Sequence, residues 1–326
     1  MNKKTSVWRW LGRGLLGVLA VVAVLVINVI WFKPFFIRAF YERVFVQAVF
    51  QMPELLSSIR LVEPLGMQGH NQELDDASEA FTTKQIEQGD ADLAMLHSYD
   101  RAALQGQAHL SYDVLDWFLT DAHATNAFRY DNYPVNQLFG VQNGFPTFMA
   151  TVHQVHNRRD ADYYNLRLSK VGRKFGQVLE GLKVREQHGV VPPTFVIDKV
   201  LTEMLAFVAT APEQNILYTA LVEKLGKTKD FAQADKDAVL AEAKKQITGS
   251  VYPAYGQLIT FFADQRTRST NDAGVWKFPD GAAYYVAALR TNTTTDYTPE
   301  QIHQLGLTEV ARISAEMLTI LHAQGY

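Results

Sequence analysis

Residues 14–32 read GLLGVLAVVAVLVINVIWF, a run of 19 residues with no charge and one polar side chain, Asn28. At about 1.5 Å of rise per residue, a helix over this run is roughly 28 Å long, close to the thickness of a hydrocarbon core. Lys3, Lys4, Arg9 and Arg13 precede it. Positive charge on a short tail holds that tail on the cytoplasmic side. Trp8, Trp10 and Trp31 stand at the two ends, where amphipathic rings favour the interface. A cleaved signal peptide has a shorter apolar core and small residues at its cut site. This run instead ends in Ile30-Trp31-Phe32-Lys33-Pro34. A buried core helix does not account for the flanking charge. The expectation is a single transmembrane anchor within residues 1–33, with the lipid bilayer as its partner and the rest of the chain outside the cytoplasm.

The next segment, FFIRAFYERVFVQAVFQM (35–52), stays apolar but adds Arg38, Glu42 and Arg43. It reads either as an extension of the membrane helix or as an amphipathic helix lying along the surface. Residues 34–63 are therefore assigned to a juxtamembrane helical segment, and 64–326 to one helical domain. Residues 64–86 are polar and irregular and read as a connection. Beyond them helical spacing dominates. Leu110, Val114, Leu115, Phe118 and Leu119 mark a helix over 109–129. GVQNGFP (140–146) reads as a break. The longest pattern runs from Asp160 to His188, with Leu166, Val171, Phe175, Val178, Leu179 and Leu182 on one side. Pro192-Pro193 opens a helix to about Ala209, and further helices are expected near 213–225, 231–248 and 252–269. The fold class is all-α, with room for a minor strand or hairpin.

The last helix has the fullest set of local signals. Thr298 is a natural N-cap, Pro299 suits the first helical position, and Gln301 completes a capping box. Ile302, Leu305, Val310, Ile313, Met317 and Ile320 predict a buried stripe, and Gly325 a stop.

Composition removes several chemistries. The formal net charge of −3 argues against nucleic acid as a partner. The absence of cysteine excludes disulfides and thiolate sites. No histidine is followed by glutamate, so the zinc helix of that kind is missing. His153 and His156 could share a helical face near Asp160 or Asp162, yet no third ligand is evident. Glu300-x-x-His303 is half of a di-iron pattern without its second copy. Gly226-Lys227-Thr228 has Leu221 where a phosphate-binding loop needs glycine. What remains is WKFPDGAAYYVAALRTNTTTDYTPEQIH (276–303). Asp280-Gly281 is turn chemistry. A short helix over Ala282–Leu289 would put Tyr285 and Leu289 on one face, with Arg290 at its end and Thr293–Thr295 as an extended link. One reading is a structural corner. The other is a cleft wall in which Tyr284, Tyr285, Arg290, Thr293, Thr294 and Thr295 meet a peptide substrate.

The run GVWKFPDGAAYYVAALRTNTTTDYTPEQIHQLGLTEVARISAEM (274–317) resembles the signature of the bacterial family called domain of unknown function 885. Weaker echoes are QLFGVQNGFPTFMATVH (137–153), the Arg167 region and GVVPPTFVIDKV (189–200). The resemblance covers about residues 60–326. It implies a helical, zinc-metallopeptidase-like protein about twice this length, with its histidine- and glutamate-rich metal motif in the C-terminal half. This chain stops at Gly325-Tyr326, before such a motif. No metal ligand and no catalytic residue of the family can be placed on it, and zinc is expected only in a full-length relative. The expectation is thus a truncated N-terminal half, inactive alone and needing a C-terminal half as partner. It would sit in the bacterial inner membrane, single-pass, N-terminus in, periplasmic if the cell is Gram-negative. The alternatives are a non-catalytic tethered binding or scaffold module, or a non-functional gene fragment.

Overall fold

The computed structural model describes residues 3–228 and 231–326. The side chains of residues 3–9 and of Leu11 lie outside the described residues, and with them the charges of Lys3, Lys4 and Arg9 and the Trp8 ring. The chain folds as α1 (Lys3–Trp31), α2 (Ile37–Phe50), α3 (Pro53–Ile59), α4 (Glu79–His97), α5 (Gln107–Thr125), α6 (Val141–Thr151) and α7 (Arg158–Gln187). It continues with α8 (Thr194–Ala209), α9 (Ile216–Gly226), α10 (Gln233–Gln246), α11 (Tyr252–Arg266), α12 (Gly281–Thr293) and α13 (Pro299–Ala323). Short 3-10 turns join several of these, and a π-turn at Ile247–Val251 joins α10 to α11. The fold is all-α, with no strand or hairpin among the described residues.

The core is organised on α7. Its buried apolar positions are Ala161, Tyr164, Leu168, Val171, Phe175, Val178 and Leu182, alternating steps of three and four that trace one face. Leu166, expected on that face, is exposed, and Tyr164 and Leu168 carry the packing instead. α10 and α11 join this face, α8 packs on α11, and α6 packs on α9 beside it. A second, smaller core joins Ile37 and Phe40 of α2 to Leu96 of α4 and to Tyr112 and Leu119 of α5. The outer face of α5, with Leu110, Val114 and Phe118, stays exposed.

GVQNGFP does not break the chain. Gly140 is the N-cap of α6 and Pro146 lies inside the helix. Proline has no N–H to give the Gln142 carbonyl four residues back. The Tyr255 hydroxyl of α11 supplies that donor instead, at 2.5 Å. The helix survives because a distant side chain completes it.

Among the described residues one helix, Gly12–Trp31, is long and apolar enough to cross a membrane, and it is almost wholly uncovered by the rest of the chain. Its end is clasped to the body. The Asn28 amide donates to the Lys33 carbonyl (2.9 Å) and accepts from the Phe35 amide (2.8 Å). Arg43 of α2 donates to the carbonyls of Val29 (3.2 Å) and Phe32 (2.9 Å), the C-terminal groups that a helix leaves without partners. Tyr99 donates to the Pro34 carbonyl at 2.7 Å, and Lys33 donates to the Ser98 carbonyl at 2.7 Å.

At the other end of the chain, α13 has its capping box: Gln301 N–H donates to Thr298 Oγ1 (3.2 Å) and Thr298 N–H to Gln301 Oε1 (2.8 Å). Its apolar stripe is not buried. None of its residues is buried, and Leu305, Val310, Ile313, Met317 and Ile320 are all exposed. The expected buried stripe is corrected for a simple reason: the described chain covers too little of it to bury any residue.

Candidate functional site

The Pro279-Asp280-Gly281 turn delivers α12 to the body. A Cβ on Gly281 would stand 1.9 Å from the Val275 carbonyl oxygen, so only glycine lets the chain double back this closely. Thr291 then donates to the buried Asp121 carboxylate at 2.7 Å, which fastens α12 to α5.

Successive residues of a helix point about 100° apart, so Tyr284 and Tyr285 part company. Tyr284 turns inward, with its ring 6.0 Å from that of Phe128 and 6.1 Å from that of Phe278. It separates two open clefts. One, of about 430 Å³, is lined by Phe128, Asn132, Ala288 and Thr291. The other, of about 460 Å³, is lined by Asp131, Tyr133, Gln137, Phe195 and Phe278. Tyr285 points away from both and is exposed.

The remaining expected site residues build the corner. Arg290 pairs with Asp296 at 3.5 Å. The threonines are not an extended link: Thr293 ends α12, and Thr294 caps it in the left-handed conformation, φ 53°. The Thr293 hydroxyl donates to the Leu289 carbonyl (2.8 Å) and contacts Thr295 Oγ1 at 2.9 Å. Of the six residues proposed from sequence, Tyr284 alone lines these clefts.

Asp131, Asn132, Tyr133 and Phe278 complete the site. The sequence signal was there in YDNYPVNQ (130–137), where two aromatics and three asparagines or glutamines interrupt helical spacing. Burial, reinforced by nearby Asp280, lifts the Asp131 carboxyl above the usual range. Burial, with Asp131 close by, likewise raises the Tyr284 hydroxyl. Burial lowers the Lys277 ammonium, which donates to the carbonyls of Val191 (2.7 Å) and Asp272 (3.0 Å). Aromatic faces beside amides, a hydroxyl and a carboxyl suit an extended polar chain with apolar side groups.

A second polar cluster is buried under α7. Arg167 is fully buried. Its Nε donates to the Glu73 carbonyl (2.9 Å), and its Nη2 to Ser57 Oγ (2.6 Å) and the His70 carbonyl (3.1 Å). Its Nη1 donates to His153 Nδ1 at 2.8 Å. Because the guanidinium has only protons to give, His153 must carry its own proton on Nε2, which donates to the Asp160 carbonyl at 3.0 Å. Burial, with Arg167 and Lys224 nearby, pushes the His153 imidazole down to about 3. Burial also lowers the Arg167 guanidinium to about 10. This cluster ties α3 and residues 69–73 to α7.

The side chains weighed as metal ligands from sequence do not come together. Both ring nitrogens of His153 are engaged, while His156 lines a separate cleft of about 330 Å³ with Glu223 and Lys224. Glu300 and His303 stand on the exposed start of α13. Among the described residues no three histidine or carboxylate side chains converge on a common point.

Comparison with known proteins agrees with the fold. The crystal structure described as "the putative lipoprotein from Colwellia psychrerythraea" superposes with a TM-score of 0.70 at 20% identity. The match covers 85% of this chain and 50% of that one, so the chain spans about half the length of its structural relative. No curated protein matches. The family profile described as bacterial protein of unknown function, DUF885, matches residues 62–326. The chain therefore belongs to the DUF885 family of bacterial proteins.

Proposed function

We propose that this chain is the membrane-anchored N-terminal half of a peptidase-like hydrolase and that it is inactive until a second helical half covers α13. The observation that carries this reading is the uncovered stripe. Five apolar side chains recur at near-helical spacing along a 25-residue helix, and all are exposed. Fully burying a side chain of this kind is worth about 1.5–3 kcal/mol, so a helix of this pattern is built to be covered. The length of the structural relative, twice that matched here, supplies a precedent for a further half.

In this reading α1 crosses the inner membrane once, N-terminus in, and the body faces the periplasm. The paired clefts around Tyr284 form one wall of the substrate groove and bind a peptide. Metal ligands belong to the second half.

The test compares the full chain in detergent with the chain extended through the coding sequence that follows it. The extended protein is expected to hold about one zinc by elemental analysis and to cleave peptides, and the chain alone to do neither. An extended protein that gains neither metal nor activity refutes the hydrolase and favours a tethered binding module.

A further inference from the structure

α2 presents three different sectors. Ile37, Phe40, Tyr41 and Val44 pack into the smaller core. Arg38 and Glu42, one turn apart, form an exposed edge that Phe45 shares and that Glu42 carries up to Val46, one turn further on. The third sector is marked by Arg43, whose Nη1 reaches the carbonyls of Val29 and Phe32. Val29 lies within the apolar span Gly12–Trp31. Arg43 is therefore held within one side-chain length of the last turn of that span.

Val46 and Phe50 follow Arg43 by three and seven residues, which puts them on its face of the helix. They are 43% and 49% exposed. In the turn just before α2, Phe35 and Phe36 are 65% and 67% exposed. An apolar, uncovered face thus begins where the span ends.

We infer that α2 lies along the outer surface of the bilayer, with Phe35, Phe36, Val46 and Phe50 seated among the lipid headgroups and upper acyl chains. This rests on the reading of α1 as a membrane span. Lipid is the occupant because the Arg43 bonds hold this face at the level of the last turn of the span. An in-plane amphipathic helix buries its apolar face about 5–10 Å into the interface. Arg38, about 80° round the helix from Val46 and about 120° from Phe50, then faces water.

The chain has no cysteine, so single cysteines are unique labelling sites. The full chain, reconstituted in phosphatidylethanolamine–phosphatidylglycerol nanodiscs, is spin-labelled at Val22→Cys, Arg38→Cys, Val46→Cys or Phe50→Cys. Collision with lipid-soluble oxygen is compared with collision with a water-soluble nickel chelate. The expected result is oxygen preference at 22, 46 and 50 and nickel preference at 38. Oxygen preference at 22 with nickel preference at 46 and 50 overturns the inference and leaves the anchor standing. Labels at 46 and 50 shielded from both reagents mean that protein covers this face, which also overturns it. Nickel preference at 22 removes the anchor itself, and the inference with it.

Discussion

Tyr255→Phe should be costly although it removes one oxygen. The ring is buried, stacked on Phe207 at 4.4 Å and leaning on Phe175 at 5.1 Å, and phenylalanine keeps both contacts. What is lost is the 2.5 Å bond to the Gln142 carbonyl, which Pro146 has already deprived of its intrahelical donor. A buried carbonyl left without a partner costs about 1–3 kcal/mol. For a chain of this size that is a fall in Tm of roughly 1–5 °C. The assay is thermal unfolding by far-ultraviolet circular dichroism of the full chain in detergent micelles. A double-mutant cycle identifies the cause. Pro146→Ala restores an N–H four residues after Gln142, so Tyr255→Phe should cost less in that background, with a coupling of about 1 kcal/mol or more. Equal costs in both backgrounds, within about 0.5 kcal/mol, would refute the completion of α6 by Tyr255.

Three further outcomes are expected. Gly281→Ala drives a Cβ into the Val275 carbonyl and should destabilise by about 1–3 kcal/mol, with the loss of amide exchange protection concentrated at residues 275–293; unchanged protection there would contradict it. His153, at about 3 in the folded chain against 6.5 when free, binds its proton only in the unfolded state between those values. Stability from this residue is therefore intact above pH 6.5 and falls on acidification toward pH 3, at up to about 1.4 kcal/mol per pH unit, and His153→Gln should flatten the slope of Tm against pH between 7 and 4. Arg167→Lys replaces a fork of four bonds by a single ammonium, so it should cost about 3 kcal/mol despite keeping the charge, read as a fall in Tm.

The sequence was most readable where the physics is local. The capping box of α13 needs only residues 298–301, and it formed as expected. α7 announces itself through thirty residues of regular spacing. Misreadings arose where the deciding partner is remote. Pro146 looked like a breaker because its compensating donor lies in α11. The burial of Arg167 could not be read locally because its acceptors on Glu73, His70 and Ser57 sit 94 to 110 positions earlier. The stripe on α13 was read correctly as apolar, but periodicity does not say what lies opposite. At the site, the turn and the helix of 276–303 were legible, whereas the choice of Tyr284 over Tyr285 is made by Phe128, which arrives from the far end of α5.

The clasp at the end of α1 changes how the body moves. A domain on a flexible leash samples a hemisphere of positions and meets targets by search. Here Asn28, Arg43, Lys33 and Tyr99 remove the hinge where such a leash would bend. Any tilt or spin of α1 is handed to the body as to a lever bolted to its axle. The clefts around Tyr284 consequently keep one bearing relative to α1, and in the function proposed above it is the substrate, or the other half, that travels.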